Sequence, residues 1–133
     1  MNRWMQVGIW LFYSALIVAM SSLPSSQIDR FYFFPGQDKL IHFFEYLLLA
    51  FLTDLVFIRF WPDKNKTRVF SVLLYGILFA VADEFHQAFV PGRSCSGWDL
   101  LTDLLAFFCY YPFLRAIPNH FRTLLPACIW TQA

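Results

Sequence analysis

The sequence predicts an all-α fold, a polytopic membrane bundle of four transmembrane helices, and three observations predict it. Hydrophobic residues make up 59% of the chain and charged residues only 14%, against roughly 25% charged in soluble domains. Long apolar stretches are divided by short segments rich in proline, glycine or basic residues, which punctuate helices. The ionisable residues that enter those stretches are gathered in three places: Asp38-Lys39 with His42 and Glu45, then Asp83-Glu84-Phe85-His86-Gln87, then Arg93 with Asp99 and Asp103. Ionisable groups within an apolar span are costly and mark a site.

Span one, about 4–24, lies in a run without any charge from Trp4 to Ile28, long enough for a hydrocarbon core that needs about 20 residues. Ala19-Met20-Ser21 resembles a signal-peptide cleavage site, but the run exceeds the ~7–15-residue apolar region of such peptides. The stretch from Ser25 to Gln37, with Phe31-Tyr32-Phe33-Phe34-Pro35-Gly36, reads as a loop or short helix lying on the membrane surface, where aromatic residues concentrate. Span two covers about 38–60 and precedes a turn holding Lys64, Lys66 and Arg68. Span three, about 69–90, is ended by Pro91-Gly92. Span four, about 99–117, is capped by Ser96 or Asp99. The tail from Pro118, with two prolines and Trp130, reads as a surface segment rather than a fifth span.

At 133 residues the chain is a single membrane domain over 1–133, too short for a soluble module beside four spans. A net charge of +1 gives no reason to expect a nucleic-acid partner. Cys95, Cys109 and Cys128 lie in no metal-ligand spacing and read as small apolar residues.

With the amino terminus inside, the inner side receives Arg3, Arg59, Lys64, Lys66, Arg68, Arg115 and Arg122, and the outer side Arg30, Lys39 and Arg93. The positive-inside rule places both termini in the cytoplasm and the chain in the cytoplasmic (inner) membrane. All three polar clusters then share the outer end of an antiparallel bundle. At about 1.5 Å per residue, His42, Asp103 and His86-Gln87 form one layer, and Glu45 with Asp83-Glu84 a deeper one. Asp38, His42 and Glu45 follow i, i+4, i+7 and share a face, as do Asp99 and Asp103, and likewise Asp83, His86 and Gln87. Glu84 is displaced from that last face by about 100°.

Asp38-Lys39, His42-Phe43, Tyr46, Asp83-Glu84-Phe85-His86-Gln87, Phe89-Val90-Pro91-Gly92-Arg93, Asp99 and Asp103 together resemble the VanZ-like family of bacterial membrane proteins, and Ser21-Ser22-Leu23-Pro24 is similar to it as well. Two places depart from the family's usual pattern: Asp103 stands where many relatives have asparagine, and Ala106-Phe107-Phe108-Cys109 where they have a small-residue continuation. The resemblance implies a role in the cell envelope and, for the founding type, reduced sensitivity to the glycopeptide-class antibiotic teicoplanin. It implies no established reaction, so enzymatic activity is left open.

Each residue has an ordinary reading beside the functional one. Asp38-Lys39 and Arg93-Asp99 would serve as ion pairs at the mouth, His42 as a packing histidine, Tyr46 as a packing aromatic that donates into the pocket, and Asp54 as the partner of the basic turn. The joint depth of His42, Glu45, Asp83, Glu84 and His86 favours a site. Its leading use is recognition or modification of an envelope lipid or lipid-linked ligand. Arg93 and Lys39 would hold an anionic headgroup, Asp38, Asp99, Asp103, Gln87 and Glu45 would complete the binding surface, and Glu84 or His86 would act as acid or base, with Asp83 and His42. The residue types suit a divalent cation, but the spacing picks none, so no metal is assigned and any cofactor is unknown. Proton-coupled transport of a small solute is the alternative; the lack of a matching polar cluster at the inner end argues against it. A non-enzymatic envelope accessory protein whose outer surface binds a partner or lipid is the third reading, and a homo-oligomer is left open under each.

Overall fold

The computed structural model describes residues 2–28, 33–61 and 65–116. The expectations for Arg30, Lys64, Arg122, Cys128 and the tail from Pro118 fall outside them. Among the described residues the chain forms helices only: α1 (Arg3–Ser21), the single-turn α2 (Ser25–Ile28), α3 (Gln37–Phe57), α4 (Asn65–Gln87) and α5 (Gly97–Ala116).

The ends of these helices follow from local chemistry. Asn2 caps α1, its side chain accepting from the Trp4 amide, which satisfies an amide with no intrahelical partner. Gly36 precedes α3 with φ of 84°, a left-handed conformation that glycine adopts without a Cβ penalty. Ser96 caps α5, with the Asp99 amide 3.3 Å from its Oγ. The α5 helix runs on through Pro112 to Ala116, as membrane helices tolerate.

The α4 helix differs from the expected 69–90 span at both ends. It begins at Asn65 and so absorbs Lys66 and Arg68 from the expected turn. Arg68 tolerates burial there because Asp54 of α3 lies 3.1 Å from its Nε. At the far end the helix stops at Gln87, and the Phe89 and Val90 amides bond back only three residues, to His86 and Gln87. A residue before proline is pushed out of the α region, so Pro91 ends the helix ahead of itself.

The α3 helix packs against α1, α4 and α5, while α4 also packs on α5 and touches α1 more lightly. Tyr46, Leu49, Ala50, Val72, Ala80, Ala106, Phe107 and Tyr110 form the centre. Gly76 of α4 admits the Phe107 ring so closely that any Cβ at 76 would overlap it. The α1 helix is fastened by Trp10 Nε1 donating to Thr53 Oγ1 at 3.0 Å, Ser14 Oγ against Tyr75 OH at 3.1 Å, and Arg59 Nε donating to Gln6 Oε1 at 3.2 Å.

Burial is inverted relative to a water-soluble bundle. Phe12 is 72% exposed and Phe85 66%, while Asp54 and Asp103 are at 0% and Glu84 at 1%. An apolar exterior around an ionisable interior suits hydrocarbon surroundings. The helices Arg3–Ser21, Gln37–Phe57 and Lys66–Gln87 are long and apolar enough to cross a membrane. The α5 helix, of 20 residues, is similar in length and carries Asp99, Asp103 and the Tyr110-Tyr111 pair.

A candidate functional site at one end of the bundle

The beginning of α3, the end of α4 and the beginning of α5 meet at one end of the bundle, and most of the sequence-predicted residues meet with them. Asp83 is the hub of one half. Ser21 Oγ of α1 lies 2.6 Å from its Oδ1, and Tyr46 OH of α3 and Gln87 Nε2 of α4 donate to Oδ2 at 3.3 and 3.0 Å. Three neutral donors from three helices thus surround one buried carboxylate. Tyr46 both packs in the core and donates here, as its position predicts.

Arg93 reaches this half through a turn. Pro91 and Gly92 occupy the middle of a tight turn closed by the Arg93 amide on Val90 O at 3.1 Å, and Gly92 has φ of 77°. Proline followed by a residue with positive φ fits a type II turn. The Ser25 side chain occupies the space a Cβ at 92 would need, so glycine is required twice over. The turn sends the guanidinium back over α4, where Nη2 and Nε donate to Gln87 Oε1 at 2.7 and 3.2 Å. The expected Arg93–Asp99 ion pair is therefore replaced by an Arg93–Gln87–Asp83 relay.

The other half lies between α3, α4 and α5. His42 Nδ1 is 3.0 Å from Asp103 Oδ1, which confirms their shared layer, and the imidazole stacks on Tyr46 with 13° between the planes. Glu84 is buried and accepts from the Ser96 amide at 2.8 Å through Oε2. The displacement of Glu84 around α4 turns it toward α5 while Asp83 faces α1 and α3, so both carboxylates are buried without unwinding the helix. Glu84 Oε1 and Asp103 Oδ2 have no hydrogen-bond partner among the described residues. One ligand-competent atom each from His42, Glu84 and Asp103 lie within 4.8 Å of one another.

Lys39 sits at the rim, bridging Asp38 and Asp99 across α3 and α5. Half-buried Glu45 lines a cavity of about 280 Å³ between α1, α2, α3 and α4. Asp38, His42, Asp83, Gln87 and Arg93, with Ser21, Gln27 and Gln37, supply the rest of its polar wall, and Ile17, Met20, Leu23, Ile28 and Ile41 its apolar wall. His86 departs from expectation. It is exposed and pairs with Ser22 Oγ at 2.9 Å, because one further residue around α4 from Gln87 leads away from the core.

Sequence reasoning missed the hydroxyls of Ser21 and Ser22 as partners in the site, since serines are common in membrane helices and carry no charge signal. It also missed a second polar centre at the opposite end, where Asp54 takes Arg68 Nε at 3.1 Å, Tyr110 OH at 3.0 Å and Tyr111 OH at 3.1 Å. Asp54 does pair with the basic segment, as expected. The expectation that this end lacks a polar cluster is corrected by the two tyrosines, whose hydroxyls need burial partners in a membrane.

The inverted burial and the polar cluster inside the bundle define an all-helical membrane protein with an internal polar site. The VanZ/LLP1 family model matches residues 9–117, from within α1 to one residue past α5, and the chain belongs to that family. No curated protein and no solved structure matches it.

Proposed function

We propose that the protein spans the cytoplasmic membrane of a bacterium four times, with both termini inside, and uses its polar cavity to bind an anionic lipid or lipid-linked ligand of the cell envelope in the outer leaflet. The single observation that carries this reading is the two-faced lining of the cavity. Arg93, Gln87 and Asp83 offer a polar wall for a headgroup, and Ile17, Met20, Leu23 and Ile41 offer an apolar wall for a chain. Small-molecule sites combine apolar lining with a few convergent polar groups in this manner. Arg93 is oriented by Gln87, and a guanidinium with a fixed direction suits a phosphate or carboxylate.

The fourth span and the orientation rest on basic residues. Arg3, Arg59, Lys66 and Arg68 lie at the end away from the cavity, Lys39 and Arg93 at the cavity end, and basic residues mark the cytoplasmic side. Altered exposure of that ligand would connect the site to reduced teicoplanin sensitivity. Transport is less well supported, since the Asp54 cluster at the other end is closed and ion-paired. Mass spectrometry of envelope lipids and lipid-linked precursors tests the reading, in cells making no protein, the wild type or Arg93→Ala at matched expression. A species that copurifies with or changes under the wild type and reverts in Arg93→Ala is expected. No difference among the three strains sinks it.

A further inference from the structure

We propose that His42, Glu84 and Asp103 bind one divalent first-row transition-metal ion, of the zinc or manganese class, between α3, α4 and α5. Each helix contributes one ligand, and a ligand atom of each lies within 4.8 Å of the others. Donors bound to a common ion at about 2.0–2.2 Å sit up to roughly 4.4 Å apart, so the cluster needs to contract by a few tenths of an ångström. His42 Nδ1 and Asp103 Oδ1, 3.0 Å apart, already hold the separation of neighbouring donors on such an ion.

The independent observation is the pair of oxygens without donors. Glu84 is 1% and Asp103 0% exposed, yet Glu84 Oε1 and Asp103 Oδ2 lack hydrogen-bond partners among the described residues. Buried acceptors are rarely left so. Without an ion the nearby donors are committed, the Ser96 amide to Glu84 Oε2 and His42 Nδ1 to Asp103 Oδ1, and an ion on Nδ1 would take the place of that ring proton. A doubly charged cation would satisfy both oxygens and balance two carboxylates in a region where unbalanced charge is costly. The imidazole selects the metal class: calcium and magnesium prefer all-oxygen sets, whereas one nitrogen with carboxylates suits zinc or manganese. Three protein ligands leave room for a water or a ligand oxygen.

This assignment does not depend on what fills the cavity, so it stands or falls apart from the lipid reading. The full chain, purified in detergent and stripped with chelator, is dialysed against zinc, manganese or magnesium chloride, and bound metal is counted by mass spectrometry. The expected result is one zinc or manganese ion per chain and no retained magnesium. His42→Ala, Glu84→Gln and Asp103→Asn each weaken binding by more than the roughly 10- to 100-fold that loss of an outer partner costs, whereas His86→Ala, which removes an exposed histidine, leaves it unchanged. Cobalt(II) added to the wild type gives visible d–d absorption that does not require any variant to fold. Metal well below one per chain in the wild type, equal binding by all variants, or loss on His86→Ala alone overturns the proposal.

Discussion

Among the described residues the bundle holds two buried polar clusters built from the same three helices, and they differ in how their carboxylates are engaged. At one end, Asp54 receives Arg68, Tyr110 and Tyr111, so both of its oxygens are engaged. At the other, Glu84 and Asp103 each keep one buried oxygen without a donor among the described residues, and neighbouring His42, Asp83 and Arg93 face a cavity. A carboxylate with both oxygens engaged by neighbouring helices fixes those helices against one another. A cluster with acceptors to spare, next to open space, is arranged to take something in. The comparison separates scaffold from site without appeal to which residues are charged, since both clusters are.

The largest expected effect breaks the closed cluster. Arg68→Ala or Asp54→Ala leaves its partner charge buried and destabilises the fold by about 3–5 kcal/mol, whereas the double variant with leucine at both positions regains part of that loss, since Tyr110 and Tyr111 are left without their acceptor. Denaturant titration of the protein in micelles measures it. A double variant as unstable as the singles would show that the pair does more than neutralise itself. Next, Gly76→Leu drives a side chain into Phe107 and costs about 1–3 kcal/mol by overpacking, read in the same titration. Tyr110→Phe removes one donor from Asp54 and costs about 1 kcal/mol. The smallest stability effect falls in the other cluster. Glu84→Gln in metal-free buffer changes stability by less than about 1 kcal/mol, since the amide oxygen still accepts from Ser96 and a buried carboxylate beside Asp103 is replaced by a neutral group. A thermal melt showing a loss comparable to that of Arg68→Ala would erase the distinction between the clusters.

Much of this fold was legible because apolar stretches of about 20 residues have few alternatives to a helix. The shared layer of His42 and Asp103 was legible too, because counting 1.5 Å steps from the helix ends fixes depth. Facing was harder. The spacing i, i+3 put His86 on the face of Asp83, but each residue turns by about 100°, and the angular width of a face decides which neighbour is inside. Arg93 defeated charge matching because the direction of its side chain is set by the Pro91-Gly92 turn rather than by the nearest carboxylate. The pairing of Asp54 with the basic turn was legible, but not which basic residue would be buried: such residues at helix ends ordinarily extend toward water, and only the three-dimensional position of Asp54 shows that Arg68 turns inward. Tyr110 and Tyr111 carried no signal, since tyrosine at a helix end is equally at home at the membrane interface.

The Asp54–Arg68 pair also has a bearing on how the chain is made. Synthesis delivers α3 before α4, so Asp54 reaches the translocation machinery ahead of the guanidinium that neutralises it, and ahead of both tyrosines. An uncompensated carboxylate discourages release of a lone helix into lipid. The cheapest course is for α3 to wait at the machinery until the first turn of α4 has emerged, and for the two to enter as a hairpin. Ser21 is by then already in place to receive Asp83. On the four-span reading, the buried ion pair would form with the α3–α4 hairpin, before α5 brings Asp103 to the other cluster.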